Sequence, residues 1–241
     1  MTYFSSLRKS TCSLALLLLV AGAAFGQIKG QFAQDFVAGR VPGDEEIAGL
    51  EKEVAANPDD FRLARKLGKG YFFQYFGEGR TSSAPKARLA LERALKMHED
   101  DPETLVYLGG LDAVIYERSK DEGERQAAGK LAVERLKRAQ QLAPANGAVL
   151  SVAAASYITL HDSFKTAPLA AEAMEKLRAG MGPRFSSFSH HGQQRILLTQ
   201  GQAYIKMGEA EKARACLEEG LKVDPESTEA MMIKAALGKL K

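Results

Sequence analysis

The sequence predicts an all-α protein, a solenoid of stacked helix–turn–helix repeats, and three observations carry that reading. Trp is absent and aromatic residues make up only 7% of the 241 residues, so a core has to be assembled from Ala, Leu and other small apolar side chains. Such side chains suit closely approaching helices better than a β-sandwich. Small and large apolar residues recur at i, i+4 and i+7, the spacing of one helix face. That pattern then returns several times along the chain, the mark of units that bury their apolar faces only by stacking on one another. With 45% hydrophobic and 26% charged residues and a net charge of +3, intrinsic disorder is excluded. A mean hydropathy of −0.22 and one long apolar run exclude a multi-span membrane protein.

Residues 1–26 read as an export signal. Arg8 and Lys9 precede an apolar run from Leu14, and Ala24-Phe25-Gly26 resembles a small-x-small peptidase site, with cleavage before Gln27. The 12 residues from Leu14 to Phe25 fall short of the roughly 20 that span a bilayer, so a cleaved signal is preferred to an anchor. Cys12 precedes the run rather than following it, which argues against a lipid anchor. Cleavage leaves 215 residues; Arg8 and Lys9 are lost with no acid, so the net charge falls from +3 to +1. Near-neutrality provides no electrostatic case for nucleic acid. Cys216 is then the lone thiol, without a partner for an internal disulfide, and its place beside Leu217 suits a small buried hydrophobe.

Residues 27–60 read as a degenerate first unit. Gln31–Gly39, with Phe32 and Phe36 inward, would pair with an amphipathic helix over Glu45–Asn57 (Ile47, Leu50, Val54) that stops at Pro58. Four clearer units follow at 61–104, 105–146, 147–185 and 194–227. The last is the plainest: Leu197, Gly201 and Tyr204 share one helix face, Gly208 turns the chain, Ala213, Leu217 and Gly220 share a second face, and Pro225 ends it. The earlier copies supply Gly68, Tyr71, Ala87, Leu91, Ala94 and Pro102; then Gly109, Ala132, Leu136, Ala139 and Pro144; then Ala154, Tyr157, Ala170, Met174 and Pro183. Asp112 stands where the second copy should carry tyrosine. Residues 228–241 read as a single capping helix, apolar at Met231, Met232, Ala235 and Leu237 with lysines late, as suits a helix C-terminus.

The small eighth residue, eleventh tyrosine, twentieth alanine and late proline of these units resemble the tetratricopeptide repeat, a helix pair of about 34 residues. The resemblance implies a right-handed α-solenoid. The connectors depart from the family pattern. Phe76 to Ala87 is too long for a repeat turn, with Ser83 and Pro85 reading as a cap and first-turn proline. Ser119–Gln126 is a charged insertion that either protrudes or lengthens both helices. Gly180–Gly192 is the longest connector. Such insertions either carry binding or are tolerated drift at loops.

No catalytic constellation emerges. The nucleophile-elbow, zinc-protease and phosphate-loop motifs are absent; the acidic runs Asp59-Asp60 and Glu99-Asp100-Asp101 fit helix starts. His190 and His191 are adjacent, which rarely converges on one ion without further ligands. The expectation is therefore no enzyme, no cofactor and no metal.

What the resemblance implies instead is a protein partner held in a concave groove lined by the first helix of each repeat. Its second, fifth, ninth, twelfth and thirteenth positions are Arg62, Arg65, Lys69, Phe72 and Phe73 in the first clear unit. In the third they include Ser151 and Ala155, and in the last Arg195, Gln202 and Lys206. Such a groove is cationic and aromatic at one end and small and apolar in the middle, which suits a partner with an acidic end and a hydrophobic stretch. The alternative is that Phe72 or Phe73 belongs to the core. The family's chaperone-type carboxylate clamp is not reproduced, because Tyr107 and Val152 stand where asparagine and a basic residue belong. The overall expectation is an exported, periplasmic scaffold or assembly factor of a bacterial envelope. Its rivals are self-association through Met231-Met232-Ile233 and a metal protein using His190-His191.

Overall fold

The structure, a computed structural model, describes residues 41–240. The export signal at 1–26, the Gln31–Gly39 helix and Lys241 lie outside the described residues. Among those residues the chain forms ten α-helices and no strand. They are α1 (Asp44–Ala56), α2 (Phe61–Glu78), α3 (Ser83–Met97), α4 (Pro102–Arg118), α5 (Glu122–Leu142), α6 (Gly147–Thr159), α7 (Ala167–Met181), α8 (His190–Met207), α9 (Ala210–Val223) and α10 (Thr228–Leu237). Short 3₁₀ helices at Asp162–Phe164 and Gly182–Ser187 complete the connectors. The α-helices pack as consecutive pairs, α2 with α3, α4 with α5, α6 with α7 and α8 with α9.

The acidic and amide residues at the turns start the helices. Asp60 accepts hydrogen bonds from the Arg62 and Leu63 amides at 2.8 and 3.2 Å, so two of the donors left open at the start of α2 are satisfied. Asp101 does the same for α4 through Thr104, Asn146 for α6 and Ser227 for α10. Glycines stop them: Gly79 and Gly208 take φ of +70° and +77°, left-handed conformations open to a residue without a Cβ.

Within each pair, a small residue on the first helix receives a large one from the second. A Cβ built at Gly68 would lie 2.6 Å from Leu91 Cγ; at Gly109 and Gly201 the clashes are with Leu136 at 2.8 Å and Leu217 at 2.7 Å. Leu91, Leu136, Met174 and Leu217 are all fully buried, and the third pair sets Met174 against a helix carrying buried Ala154. Hence the helices approach to backbone contact with little aromatic content. The two central first helices are buried on every side, Thr104–Ala113 of α4 and Gly147–Ala154 of α6 without a break, as expected for helices apolar all round.

One connector reading needs correction and another is narrowed. Ser83 is the first residue of α3 rather than its cap; its buried hydroxyl donates to Gln74 Oε1 at 3.1 Å, tying α3 to α2. Gly180–Gly192 narrows to Gly182–Ser189, still the longest link between two α-helices among the described residues. α7 continues to Met181, the 3₁₀ helix takes up Gly182–Ser187, and Ser189 caps α8 through the Gly192 amide. His190 and His191 therefore open a helix. The Ser119–Gln126 insertion shrinks to Ser119–Asp121, its remaining residues lengthening α5 to 21 residues; α4 ends at Arg118, so one helix is lengthened where the sequence suggested both.

Candidate partner-binding face

The first helices of successive pairs lie side by side, α2 against α4, α4 against α6, α6 against α8 and α8 against α10, and because α4 and α6 are buried along Thr104–Ala113 and Gly147–Ala154, the open residues of this row lie mainly on α2 and at the edge of α8. On α2, Arg62, Arg65, Lys69, Phe73 and Phe76 fall within one side of the helix by their spacing. Arg62 is exposed. Arg65, about a quarter exposed, pairs with Asp101 at 2.7 Å and holds its guanidinium 5.4 Å from the Phe61 ring. The Lys69 ammonium lies 6.0 Å from the Phe73 ring centroid, within reach of cation–π attraction.

Phe72 and Phe73 are core residues, 5% and 8% exposed, rather than the open floor of a groove. The Phe72 ring meets Tyr107 edge-on at 5.0 Å and covers Gly110 of α4, where a Cβ would stand 3.1 Å from the ring and 3.4 Å from Ser156 Oγ of α6. Gly110 is thus the point where three repeats converge. Ser151 is also buried and Ala155 half-buried. On α8, Arg195 and Gln202 are half-buried. Lys206 is turned to the edge, where its ammonium donates to the Leu160 carbonyl at 2.7 Å and meets Asp162 at 3.1 Å. The structure therefore gathers Arg62, Arg65 and Lys69 into one patch and sets Arg195, Gln202 and Lys206 apart from it, with α4 and α6 between.

Sequence reasoning missed Phe76. It is 49% exposed and packs on Phe72 at 4.4 Å and on Tyr75 at 4.9 Å, an aromatic edge held open about two turns beyond Lys69 on the same side of α2. Its signal was available, since it stands one turn beyond Phe72. Arg118 of α4 closes this end, its guanidinium 5.3 Å from the Tyr75 ring. An open notch beside α2, lined by Asn57, Asp59, Asp60, Arg62 and the packed Phe61–His98 pair, collects opposite charges and turn backbone without convergent chemistry.

The polar groups inside the stack are structural. Tyr71 donates to Glu51, Tyr157 to Gln140 at 2.9 Å and Tyr204 to Glu175, each reaching the helix that precedes its own. Burial, then the Glu175 hydrogen bond, push the Tyr204 hydroxyl up to about 12; burial and Glu51 raise Tyr71 still further. Asp112, at the same place in its repeat, accepts from Arg88 at 2.7 Å and Arg135 at 2.6 Å. Burial raises the Cys216 thiol above its ordinary value, the opposite of what a nucleophile needs. His191 Nδ1 stands 2.8 Å from Glu229 and His190 3.9 Å from Asp224. Among the described residues no three His, Cys, Asp or Glu side chains gather as metal ligands, and no helix is long and apolar enough to cross a membrane.

The family model of the tetratricopeptide repeat matches residues 194–227, the pair α8–α9. Among solved structures the chain is similar to the crystal structure of a thermophilic tetratricopeptide-repeat protein from Thermus thermophilus, with a TM-score of 0.58 and 14% identity, over 93% of this chain and 95% of that one. At that identity the likeness is one of fold. No curated protein matches the chain.

Proposed function

The chain is a tetratricopeptide-repeat protein by its matched repeat and its fold, and from that starting point we propose that it is an exported, non-catalytic scaffold or assembly factor of the bacterial cell envelope. It takes a segment of another protein on the exposed side of α2. The observation that carries this reading is the α2 patch, in which exposed Arg62 and half-buried Arg65 and Lys69 share one side of the helix with exposed Phe76, about two turns beyond Lys69. Guanidinium and ammonium groups in line with an aromatic edge fit a partner segment with carboxylates followed by apolar residues. Export and a periplasmic site rest on residues 1–26. With the mature charge at +1, a protein partner suits the face better than nucleic acid.

The test is crosslinking of the chain from Gln27 onward in a bacterial envelope, with mass spectrometry of what is captured. Arg62→Glu with Lys69→Glu is the control, because neither side chain caps a helix; Arg65 is unsuitable, since its partner Asp101 also caps α4. A defined partner lost in the variant supports the reading. A partner retained moves the site away from α2. A precursor that is neither cleaved nor exported removes the envelope assignment.

A further inference from the structure

The helix α10 repeats the register of α8 but lacks the cover that α8 has. Counting one repeat on from Leu197 and Gly201, the fourth and eighth positions of α10 are Met231 and Ala235. In the four complete pairs these positions are where the second helix packs. The fourth residues Ala64, Leu105, Leu150 and Leu197 are 1%, 6%, 2% and 0% exposed, whereas Met231 is 63% exposed. The eighth residues Gly68, Gly109, Ala154 and Gly201 are buried; Ala235 is exposed. The other side of α10 is fully used: Ala230, Ile233 and Ala236 are buried, with Ile233 seated over Gly220 of α9, and α10 packs on α8 and α9. Its open side is shaped for one more antiparallel helix that sets a large apolar side chain over Ala235.

We infer that a second copy of this chain supplies that helix, its own α10, giving a two-fold dimer through the open side of α10. The face is self-complementary. In an antiparallel pairing about the Met231–Ala235 centre, each Met231 stands over the other copy's Ala235, the large-over-small arrangement that Leu217 and Gly201 make within a pair. The charges agree. The N-terminal approach to α10 carries Asp224 and exposed Glu226, and its C-terminal end carries exposed Lys239, so antiparallel packing sets each acidic end beside the other copy's lysine. The opposed helix dipoles favour the same orientation. A two-fold contact of this kind uses one patch twice and closes on itself. The inference does not depend on the α2 patch, and either can fail alone.

Light scattering and sedimentation velocity of the mature chain over a wide concentration range test it. The expected result is a monomer–dimer equilibrium. Met231→Glu, at an exposed site, keeps the helical circular dichroism and thermal midpoint but weakens the dimer at least about tenfold, since a truncated central anchor commonly costs that much. Glu226→Lys and Lys239→Glu each weaken it, and the double variant restores it. A strictly monomeric wild type overturns the inference. So does a dimer indifferent to Met231→Glu, which would lie on another face, and so does a double reversal that fails to restore, which would deny the antiparallel arrangement.

Discussion

The second and last complete pairs, α4–α5 and α8–α9, solve the same packing problem with different chemistry at one place. Both seat a leucine over a glycine, Leu136 on Gly109 and Leu217 on Gly201. At the eleventh position the last pair uses Tyr204, which buries a ring and sends its hydroxyl to Glu175 on the preceding helix. The second pair uses Asp112, 1% exposed, with one oxygen on Arg88 of the preceding pair and the other on Arg135 of its own. A phenol is largely satisfied by packing and keeps one hydrogen bond in reserve. A buried carboxylate gains nothing from packing and depends on both guanidiniums, because an unpaired charge in the interior is costly. The same junction is thus tolerant in one repeat and all-or-none in the other.

The widest separation between the two junctions should come from deleting the polar group. Asp112→Ala removes the acceptor that Arg88 and Arg135 share, leaving Arg88 only Glu92 at 3.5 Å; because both guanidiniums still reach water, the loss should fall below the full cost of stranding a buried charge, at about 2 to 3 kcal/mol. Tyr204→Phe keeps the ring and frees an exposed Glu175 to water, so a loss of about 0.5 to 1.5 kcal/mol is expected. Urea titration followed by circular dichroism measures both. Equal losses would erase the distinction. Replacing Asp112, Arg88 and Arg135 together by apolar residues of similar size should recover much of the stability; failure to do so would assign the cost to packing rather than to charge.

The shared feature comes next in size. Gly201→Leu sets a branched side chain into the 2.7 Å approach of Leu217 and should destabilise by about 1 to 3 kcal/mol through overpacking. Gly109→Leu should cost at least as much, because the Ala132 carbonyl also stands 3.4 Å from the Cβ position and backbone yields less than a side chain. Thermal midpoints of the two variants rank them. Unchanged stability at Gly201 would break the register on which the repeat reading rests.

Alkaline pH sharpens the contrast further. The Tyr204 hydroxyl is pushed up to about 12, above the usual value near 10. Its neutral form is favoured in the folded state, so its contribution is complete below about pH 10 and is lost as pH rises through about 12. The ultraviolet absorbance of phenolate should show tyrosine titrating late in the native protein and near pH 10 in urea. Asp112→Tyr adds one more phenol to this junction type, and its late titration would show that the second pair accepts the common solution.

The stack was legible because it rests on size at fixed spacing. Small residues at Gly68, Gly109, Ala154 and Gly201 and large ones at Leu91, Leu136, Met174 and Leu217 can be read from the chain without coordinates. Asp112 was visible only as a departure. Its partners Arg88 and Arg135 lie on two other helices, 24 and 23 residues away in sequence, and no local pattern links them. The connectors misled for a related reason. Gly182 and the Ser186-Ser187 pair look like loop residues, yet a 3₁₀ helix and the Ser189 cap absorb them. At the candidate face, helical spacing placed the cationic residues of α2 together but could not tell the inward Phe72 from the outward Phe76, because depth depends on Tyr107 and Gly110 of the next repeat.

The smallest stability effect separates the face from the stack. Arg62→Glu with Lys69→Glu alters an exposed guanidinium and an ammonium that leans on the Phe73 ring. Exposed charges contribute little to folding, so a loss within about 1 kcal/mol is expected, far below that of Asp112→Ala. Phe76→Ala should likewise be mild, since half of the ring already faces solvent. If these variants unfold the chain, α2 is part of the stack in the manner of α4. If they leave it folded and abolish capture of a partner, the first repeat differs from the second in kind: its face is built to be used, while the face of α4 is buried to hold the solenoid together.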